Sequence, residues 1–451
     1  MQHRFWASSL AALLLLSWLT LCSPQTACAD TWPEGPDVRS DSAIVMEVET
    51  GAILYEKNSH AKHYPASITK IMTTLLALEN CELDETVVFS ADAVFKNEGA
   101  TSHIARDLNE EMTVEETLYA IMLESANECA WAMAEHVAAK TDGDVSDFVA
   151  MMNERASGLG CTDTHFNNPN GLPDHEHYTS AYDMALISCE AYKNDVFRVI
   201  TGTKQYIIPP TNKHSEQTIL NNHHRLLNYY KTDAYLNPYC TGGKTGYTDE
   251  ANATLVTYAE KDGMKLCVVV MDVDEPYEFT DTNTLLDYCF SEFETCTIAE
   301  DERLQEARGL LNSHAGLLTA EEDAYIILPK DADTADLVCK AGIEDGNSVA
   351  QYFYEDHEVG TVVLQETKET VSMPSFGKNG NGLSRIRVPS RALLMAGLGL
   401  ALVLALIFLF SRFRHGIAHY RRSRAAKKAY RERMRPLKAR KRRERKKKKH
   451  R

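Results

Sequence analysis

At 451 residues the chain is long enough for two or three domains, and its 44% hydrophobic and 25% charged residues are those of a folded protein rather than a disordered one. The formal net charge of −16 divides unevenly: residues 411–451 hold 21 Lys and Arg against 2 Asp and Glu, leaving the first 410 with 27 basic and 62 acidic side chains, a net of −35. So acidic a body repels polyanions, and no nucleic acid is expected as its partner.

Residues 1–29 read as a secretory signal, with Arg4 at its charged start, an apolar core from Leu10 to Leu21 and a small-residue cleavage site at Ala27-Cys28-Ala29. Lipidation at Cys22 is disfavoured by the bulky Leu21 before it. The nine cysteines that remain (Cys81, Cys129, Cys161, Cys189, Cys240, Cys267, Cys289, Cys296 and Cys339) are odd in number and widely spread, which is not a disulfide scaffold. Several lie in apolar runs and read as buried thiols, and no CxxC pair supports a zinc site.

Two strands are expected around the Thr50-Gly51 turn, from Ser42 to Val48 and from Ala52 to Tyr55. Pro65 is suited to the first turn of a helix, and Ile71, Leu75 and Leu78 continue at helical spacing. Thr113-Val-Glu-Glu116 is a capping box for a helix through Leu123, which breaks at Ser125-Ala-Asn127 before a second helix from Glu128 to about Ala139. Helices are also expected over Asp147–Ala156, Ala181–Tyr192 and Asp281–Phe293, a turn at Asn167–Leu172, and strands over Ala253–Tyr258 and Met264–Met271. Helices interspersed with an antiparallel sheet make residues 30–295 an α+β domain.

Beyond Cys296 the chain changes to short β-like runs, Ala324–Leu328, Leu337–Lys340, Val349–Tyr354 and Gly360–Leu364, so residues 296–372 read as a small β-rich domain. A Gly-, Ser-, Pro- and Asn-rich linker, 373–391, leads to the 19 uncharged residues from Ala392 to Phe410, long enough to cross a bilayer as a transmembrane helix. Basic residues stay on the cytoplasmic side, so the body is expected outside a bacterial cell membrane and the tail, 411–451, inside. Contact with anionic inner-leaflet lipids is the simpler reading of that tail, and nucleic acid the alternative.

Three short motifs stand in order: Ser67-Ile-Thr-Lys70, Ser125-Ala-Asn127 and Lys244-Thr-Gly246. Ser67 and Lys70 are one helical turn apart, a spacing at which a neutral lysine can take the proton of a serine nucleophile. Each motif is common by itself; together they form the S-x-x-K, S-x-N, K-T-G set of penicillin-binding proteins and class A β-lactamases.

Thr50-Gly-Ala-Ile-Leu-Tyr-Glu-Lys57, Pro65-Ala-Ser-Ile-Thr-Lys-Ile-Met-Thr73, Asn168-Pro-Asn-Gly-Leu172 and Lys244-Thr-Gly-Tyr-Thr248 extend the likeness. Over roughly residues 38–293 the chain resembles the low-molecular-mass D-alanyl-D-alanine carboxypeptidases, the serine-type penicillin-binding peptidases of the bacterial wall, and more loosely their C-terminal β domain. The resemblance implies a β-lactamase/transpeptidase-like fold, a peptidoglycan stem pentapeptide as substrate, β-lactams as inhibitors, and neither cofactor nor metal. By motif, Ser67 is the nucleophile, Lys70 the general base and Ser125 the proton relay to the leaving amine. Asn127 holds the substrate amide, Lys244 adds positive charge that helps keep Lys70 neutral, and Thr245 and Gly246 line the substrate strand. The backbone N–H groups of Ser67 and Tyr247 form the oxyanion hole.

Three positions depart from the family pattern. Glu128 stands where Asp is usual, Asn170 replaces a His, and Glu278 occupies the place of an Arg that helps bind the substrate's terminal carboxylate. Glu278 leaves room for a catalytically weak penicillin-binding wall or signalling protein; a β-lactamase is the further alternative, for which no deacylating base is evident. His175-Glu-His177 and His223-His224 lack a matched third ligand and read as ordinary polar residues, not metal sites.

Overall fold

In a computed structural model of the chain, the residues described are 32–96, 101–229, 232–298, 303, 317–321, 323–344 and 346–367. The expected signal, linker, apolar segment 392–410 and basic tail lie outside them; among the described residues no helix is long and apolar enough to cross a membrane. Strands β1 (Ser42–Glu47) and β2 (Ile53–Lys57) form a hairpin, followed by a 3₁₀ turn, Ala66–Thr69, and α1 (Lys70–Asn80). Then come β3 (Thr86–Val88), α2 (Ala91–Phe95), β4 (Glu111–Thr113), α3 (Val114–Leu123), α4 (Asn127–Ala139), α5 (Val145–Gly158), α6 (Ala181–Tyr192) and α7 (Asp195–Gly202). The hairpin of β5 (Gln205–Ile208) and β6 (Thr218–Asn221) precedes three long strands, β7 (Cys240–Thr248), β8 (Asn252–Lys261) and β9 (Met264–Val273), and α8 (Tyr277–Glu292).

Five strands make one antiparallel sheet in the order β2-β1-β9-β8-β7. Side chains alternate across a strand, and here both faces are buried, so Ala43–Met46 and Leu266–Met271 are continuous apolar runs. Ile44, Met46, Val256, Tyr258, Cys267, Val269 and Met271 pack on one face in a core shared with α1 and α3 to α7. Ala43, Val45, Leu255, Leu266, Val268 and Val270 pack on the other, against Phe279, Leu285, Leu286 and Phe290 of α8.

Helix α8 starts four residues before the expected Asp281. That carboxylate is not a cap: its Oδ2 accepts hydrogen bonds from the backbone N–H and hydroxyl of Ser40, each 2.7 Å, tying the helix to the chain ahead of β1. The expected capping box is present, with Glu116 N donating to Thr113 Oγ1 at 3.1 Å and Thr113 N to Glu116 Oε2 at 2.9 Å.

The β-rich region opens with β10 (Phe293–Thr297), which leads directly out of α8 and pairs with β12 (Tyr325–Pro329). Strands β11 (Leu317–Thr319), β13 (Leu337–Glu344), β14 (Asn347–Tyr354) and β15 (His357–Thr367) form a second sheet in the order β11-β15-β14-β13. Ile298, Ile326, Leu328, Tyr352, Val359 and Leu364 give it a core of its own. It meets the first domain where Tyr325 Oη donates to Glu47 Oε1 at 2.8 Å and Thr361 N to Thr50 O at 3.0 Å.

Thr113→Ala removes one half of a reciprocal cap, so the unfolding free energy should fall by about 1 kcal/mol in urea titration, with acylation of Ser67 unchanged because Thr113 is remote from the cleft.

Candidate active site

The serine motif does not begin on the α-helix itself. Ser67 sits on the 3₁₀ turn Ala66–Thr69, and Lys70 opens α1, so the two side chains converge at the start of that helix. Ala66 before the serine holds a left-handed φ of +50°. Non-glycine residues adopt it at a cost, repaid when surrounding contacts fix the turn. Three contacts do so here. Thr254 Oγ1 on β8 donates to Pro65 O at 2.9 Å. Gly246 on β7 lies so close that a Cβ there would come within 2.4 Å of Thr254 Oγ1 and 2.9 Å of Ser67 N. Gly171, at φ +86°, would put a Cβ 1.8 Å from Ala66 O.

Lys70 is completely buried. Its Nζ lies 3.0 Å from Ser67 Oγ, 2.7 Å from Asn127 Oδ1 and 2.6 Å from the backbone oxygen of Asn170. A neutral amine has two N–H groups and one lone pair. The two hydrogens match the carbonyl oxygens of Asn127 and Asn170, which accept only, and the lone pair is left for the hydroxyl hydrogen of Ser67. Burial pushes the Lys70 amine well below its usual range, and the neighbouring Lys244 pushes it the same way. Desolvation therefore comes first and like-charge repulsion second. Once protonated, the ammonium has three donors for the same three acceptors, so proton uptake strands no N–H group.

Lys244 is also buried, held at about 7 by desolvation, with Glu124 opposing that shift. Its Nζ donates to Thr245 O at 2.8 Å. Glu124 accepts from Asn221 N at 2.7 Å and pairs with His223 at 3.0 Å. Ser125, between α3 and α4, has a left-handed φ of +59°, and its buried Oγ has no hydrogen-bond partner among the described residues. A buried hydroxyl without a partner, facing the cleft, is available to a substrate.

The departures acquire reasons. Glu128 Oε1 accepts from Ile104 N at 2.6 Å, and Asn127 N donates to Ser102 O at 2.9 Å, so α4 holds the 101–104 segment that walls the cleft. Asn170 contributes its backbone oxygen, and the turn is closed by Asn168 Oδ1 accepting from Gly171 N at 2.7 Å. His177 points inward and is neutral, held at about 3 by burial; its Nδ1 accepts from Asn167 N at 2.9 Å and its Nε2 donates to Thr69 Oγ1 at 2.9 Å. His224 is buried, its Nε2 within 3.0 Å of Thr257 Oγ1. Both nitrogens of His177 are thus engaged, whereas His224 Nδ1 has no hydrogen-bond partner among the described residues.

The cleft, of about 470 Å³, is lined by Ser67, Ser125, Asn127, Thr245, Gly246 and Tyr247, bringing together the three motifs. Glu278 lines it, as the family resemblance implied, and so do two residues the sequence reading did not single out, Arg225 and Glu275. Charge could have flagged them, but nothing in their local spacing could have placed them there.

A transpeptidase-like α+β fold, with a serine and a buried lysine at one edge of its sheet, defines a class of serine peptidases. A family profile described as D-alanyl-D-alanine carboxypeptidase, peptidase S11, matches residues 29–275. The chain is 34% identical over 339 residues to the D-alanyl-D-alanine carboxypeptidase DacF of Bacillus subtilis, covering 73% of this chain and 82% of that one. Among solved structures, penicillin-binding protein 5 of Haemophilus influenzae is 26% identical with a TM-score of 0.59, over 74% of this chain and 98% of that one. The Streptomyces K15 DD-transpeptidase is 27% identical with a TM-score of 0.52, over 57% and 100%. The chain belongs to the D-alanyl-D-alanine carboxypeptidase family, and is a serine-type carboxypeptidase of the penicillin-binding group.

Because Lys244 holds the Lys70 amine down, Lys244→Gln should raise it. The acid limb of penicillin acylation, where Lys70 gains its proton, then moves to higher pH. Stopped-flow acylation across pH measures this; an unmoved limb would leave burial as the whole cause.

Proposed function

We propose that this carboxypeptidase removes the terminal D-alanine from peptidoglycan stem pentapeptides through an acyl-enzyme on Ser67. The observation that carries the reading is the buried Lys70 amine, with two carbonyl acceptors turning its lone pair to the Ser67 hydroxyl. In the first step Lys70 takes the hydroxyl proton as Ser67 Oγ attacks the carbonyl of the penultimate D-alanine. The developing oxyanion is received by the backbone N–H groups of Ser67 and Tyr247, where losing one such donor typically costs about 2.7–4 kcal/mol of barrier. Asn127, its Oδ1 committed to Lys70, offers its Nδ2 hydrogens to the substrate amide, while the strand edge at Thr245 and Gly246 receives the peptide backbone. As the tetrahedral intermediate collapses, a proton passes from Lys70 through the Ser125 hydroxyl to the leaving amine, and D-alanine departs. Water, deprotonated in turn by Lys70, hydrolyses the ester. A β-lactam acylates the same serine, and its opened ring holds the ester against hydrolysis.

The reading also places the enzyme at a bacterial cell membrane. Residues 1–29 would direct export, 392–410 would anchor the chain, and the basic tail 411–451 would rest on anionic lipids of the cytoplasmic leaflet. Support for this comes from the sequence alone.

The full chain in detergent, given a stem pentapeptide ending in D-Ala-D-Ala, should release D-alanine, and Ser67→Ala should release none and take no labelled penicillin. Lys70→Ala should slow acylation by about 10²–10⁴-fold, the usual contribution of a positioned base. D-alanine release by Ser67→Ala at the native rate would overturn the assignment of the nucleophile. For the anchor, a chain ending at residue 391 should appear in the medium while the full chain stays with membranes through alkaline carbonate; equal partitioning of the two would remove 392–410 from that role.

A further inference from the structure

A carboxypeptidase substrate ends in a free carboxylate, and a carboxylate entering a partly buried cleft needs a cation or several N–H donors. The usual position for that cation holds Glu278, which is buried at the first turn of α8 and lines the cleft with its Oε2 lacking any hydrogen-bond partner among the described residues. Asp249 and Glu275 add further negative charge to the same wall. Left to these groups, the leaving residue would be repelled.

Arg225 changes the balance. It lines the cleft from the loop between β6 and β7, with its guanidinium carbon 5.0 Å from the centre of the Phe279 ring. No carboxylate pairs with it among the described residues, in contrast to His223 two residues earlier, which is paired with Glu124 at 3.0 Å. Nor is it a loose surface side chain. His224 before it and Leu226 and Leu227 after it are buried, and the N–H groups of Leu227 and Asn228 both donate to His224 O, at 3.0 Å each. A guanidinium over an aromatic face keeps its planar fork of N–H donors, the geometry that grips a carboxylate with two parallel hydrogen bonds.

We propose that Arg225, held on the face of Phe279, binds the terminal carboxylate of the leaving D-alanine, with Glu278 beside it as a protonated acid that donates to the same group. The inference rests on the carboxypeptidase reading above and names the substrate contact that reading lacked. Burial raises the Glu278 carboxyl to about 7, with Glu275 and Asp281 pushing it up and Arg225 pulling it down. Glu278 is therefore neutral below that value and a repelling anion above it. With Arg225, Glu275, Asp281 and Asp249 the charged groups around it, an approaching carboxylate favours the protonated form further.

The test compares the full chain with Arg225→Gln, Arg225→Lys and Glu278→Gln on two probes. One is a stem peptide ending in D-Ala-D-Ala. The other is a peptidyl boronic acid whose boron replaces the carbonyl of the penultimate residue, so that it reaches Ser67 without presenting a terminal carboxylate. Arg225→Gln should raise KM for the peptide about 10- to 100-fold, the worth of a charge-assisted hydrogen-bond pair, while kcat changes far less and the boronate binds Ser67 as before. Arg225→Lys, which keeps the charge but not the fork, should fall between. Glu278→Gln should abolish the rise in KM that the native protein shows above pH 7. If Arg225→Gln and the native protein share one KM for the peptide, the assignment of Arg225 is overturned. If Arg225→Gln loses the boronate adduct as well, its role is structural and the proposal fails, with Arg225→Lys then showing whether the stem alone restores the fold. If the native protein binds the boronate yet releases no D-alanine, the carboxypeptidase reading fails first.

Discussion

Everything at this site depends on an amine kept out of water. A lysine in solvent holds its proton at neutral pH and can take none from a serine. Enclosing Lys70 completely removes the hydration that favours the ammonium, and the nearby Lys244 removes more. Burial alone does not make a base, because an amine facing only apolar atoms would have no defined orientation. The carbonyls of Asn127 and Asn170 supply that, since each accepts an N–H and neither can donate one through its oxygen. What they leave over is a lone pair aimed at Ser67.

The same constraint explains how the rest of the domain is arranged. The serine turn is squeezed between the Asn168–Leu172 turn and the edge strand β7, with spacing so tight that Gly171 and Gly246 have no room for a Cβ. Ala66 and Ser125 both hold left-handed backbone beside the reacting atoms, and the packing around them holds it there. Rigidity comes from the sheet behind, buried on both faces by two cores that meet at β1, β8 and β9. A cleft built on one edge of such a sheet cannot relax when a base or a nucleophile changes its charge, and electrostatic preorganisation needs that stiffness.

Much of the fold was legible because it follows local rules. The Thr113–Glu116 cap, the glycine turn of the first hairpin and the apolar runs of β1 and β9 each declare themselves within a few residues. Boundaries slipped where tertiary contacts intervened. Asp281 resembles a helix start, yet its carboxylate serves Ser40 from the second turn of α8. Of the site, Ser67 and Lys70 were legible because one helical turn separates them. The backbone oxygen of Asn170 was not, since a carbonyl acceptor carries no residue signature. Glu124 and Arg225 were equally silent about their neighbours, and only the family resemblance placed Glu278 at the cleft.

By itself, then, the sequence determined the chemistry available: a serine with a lysine one turn away, a second lysine on a glycine-rich strand, and the order in which these motifs occur. It did so because motif spacing is a local property of helices and strands. Only the tertiary structure decided how that chemistry is tuned. Whether an amine is charged depends on how much water surrounds it and which charges stand close, and both are set by residues far apart in the chain. The same holds for the wall of the cleft, where Arg225 and the buried Glu278, brought together from separate parts of the chain, set the charge that an incoming peptide meets.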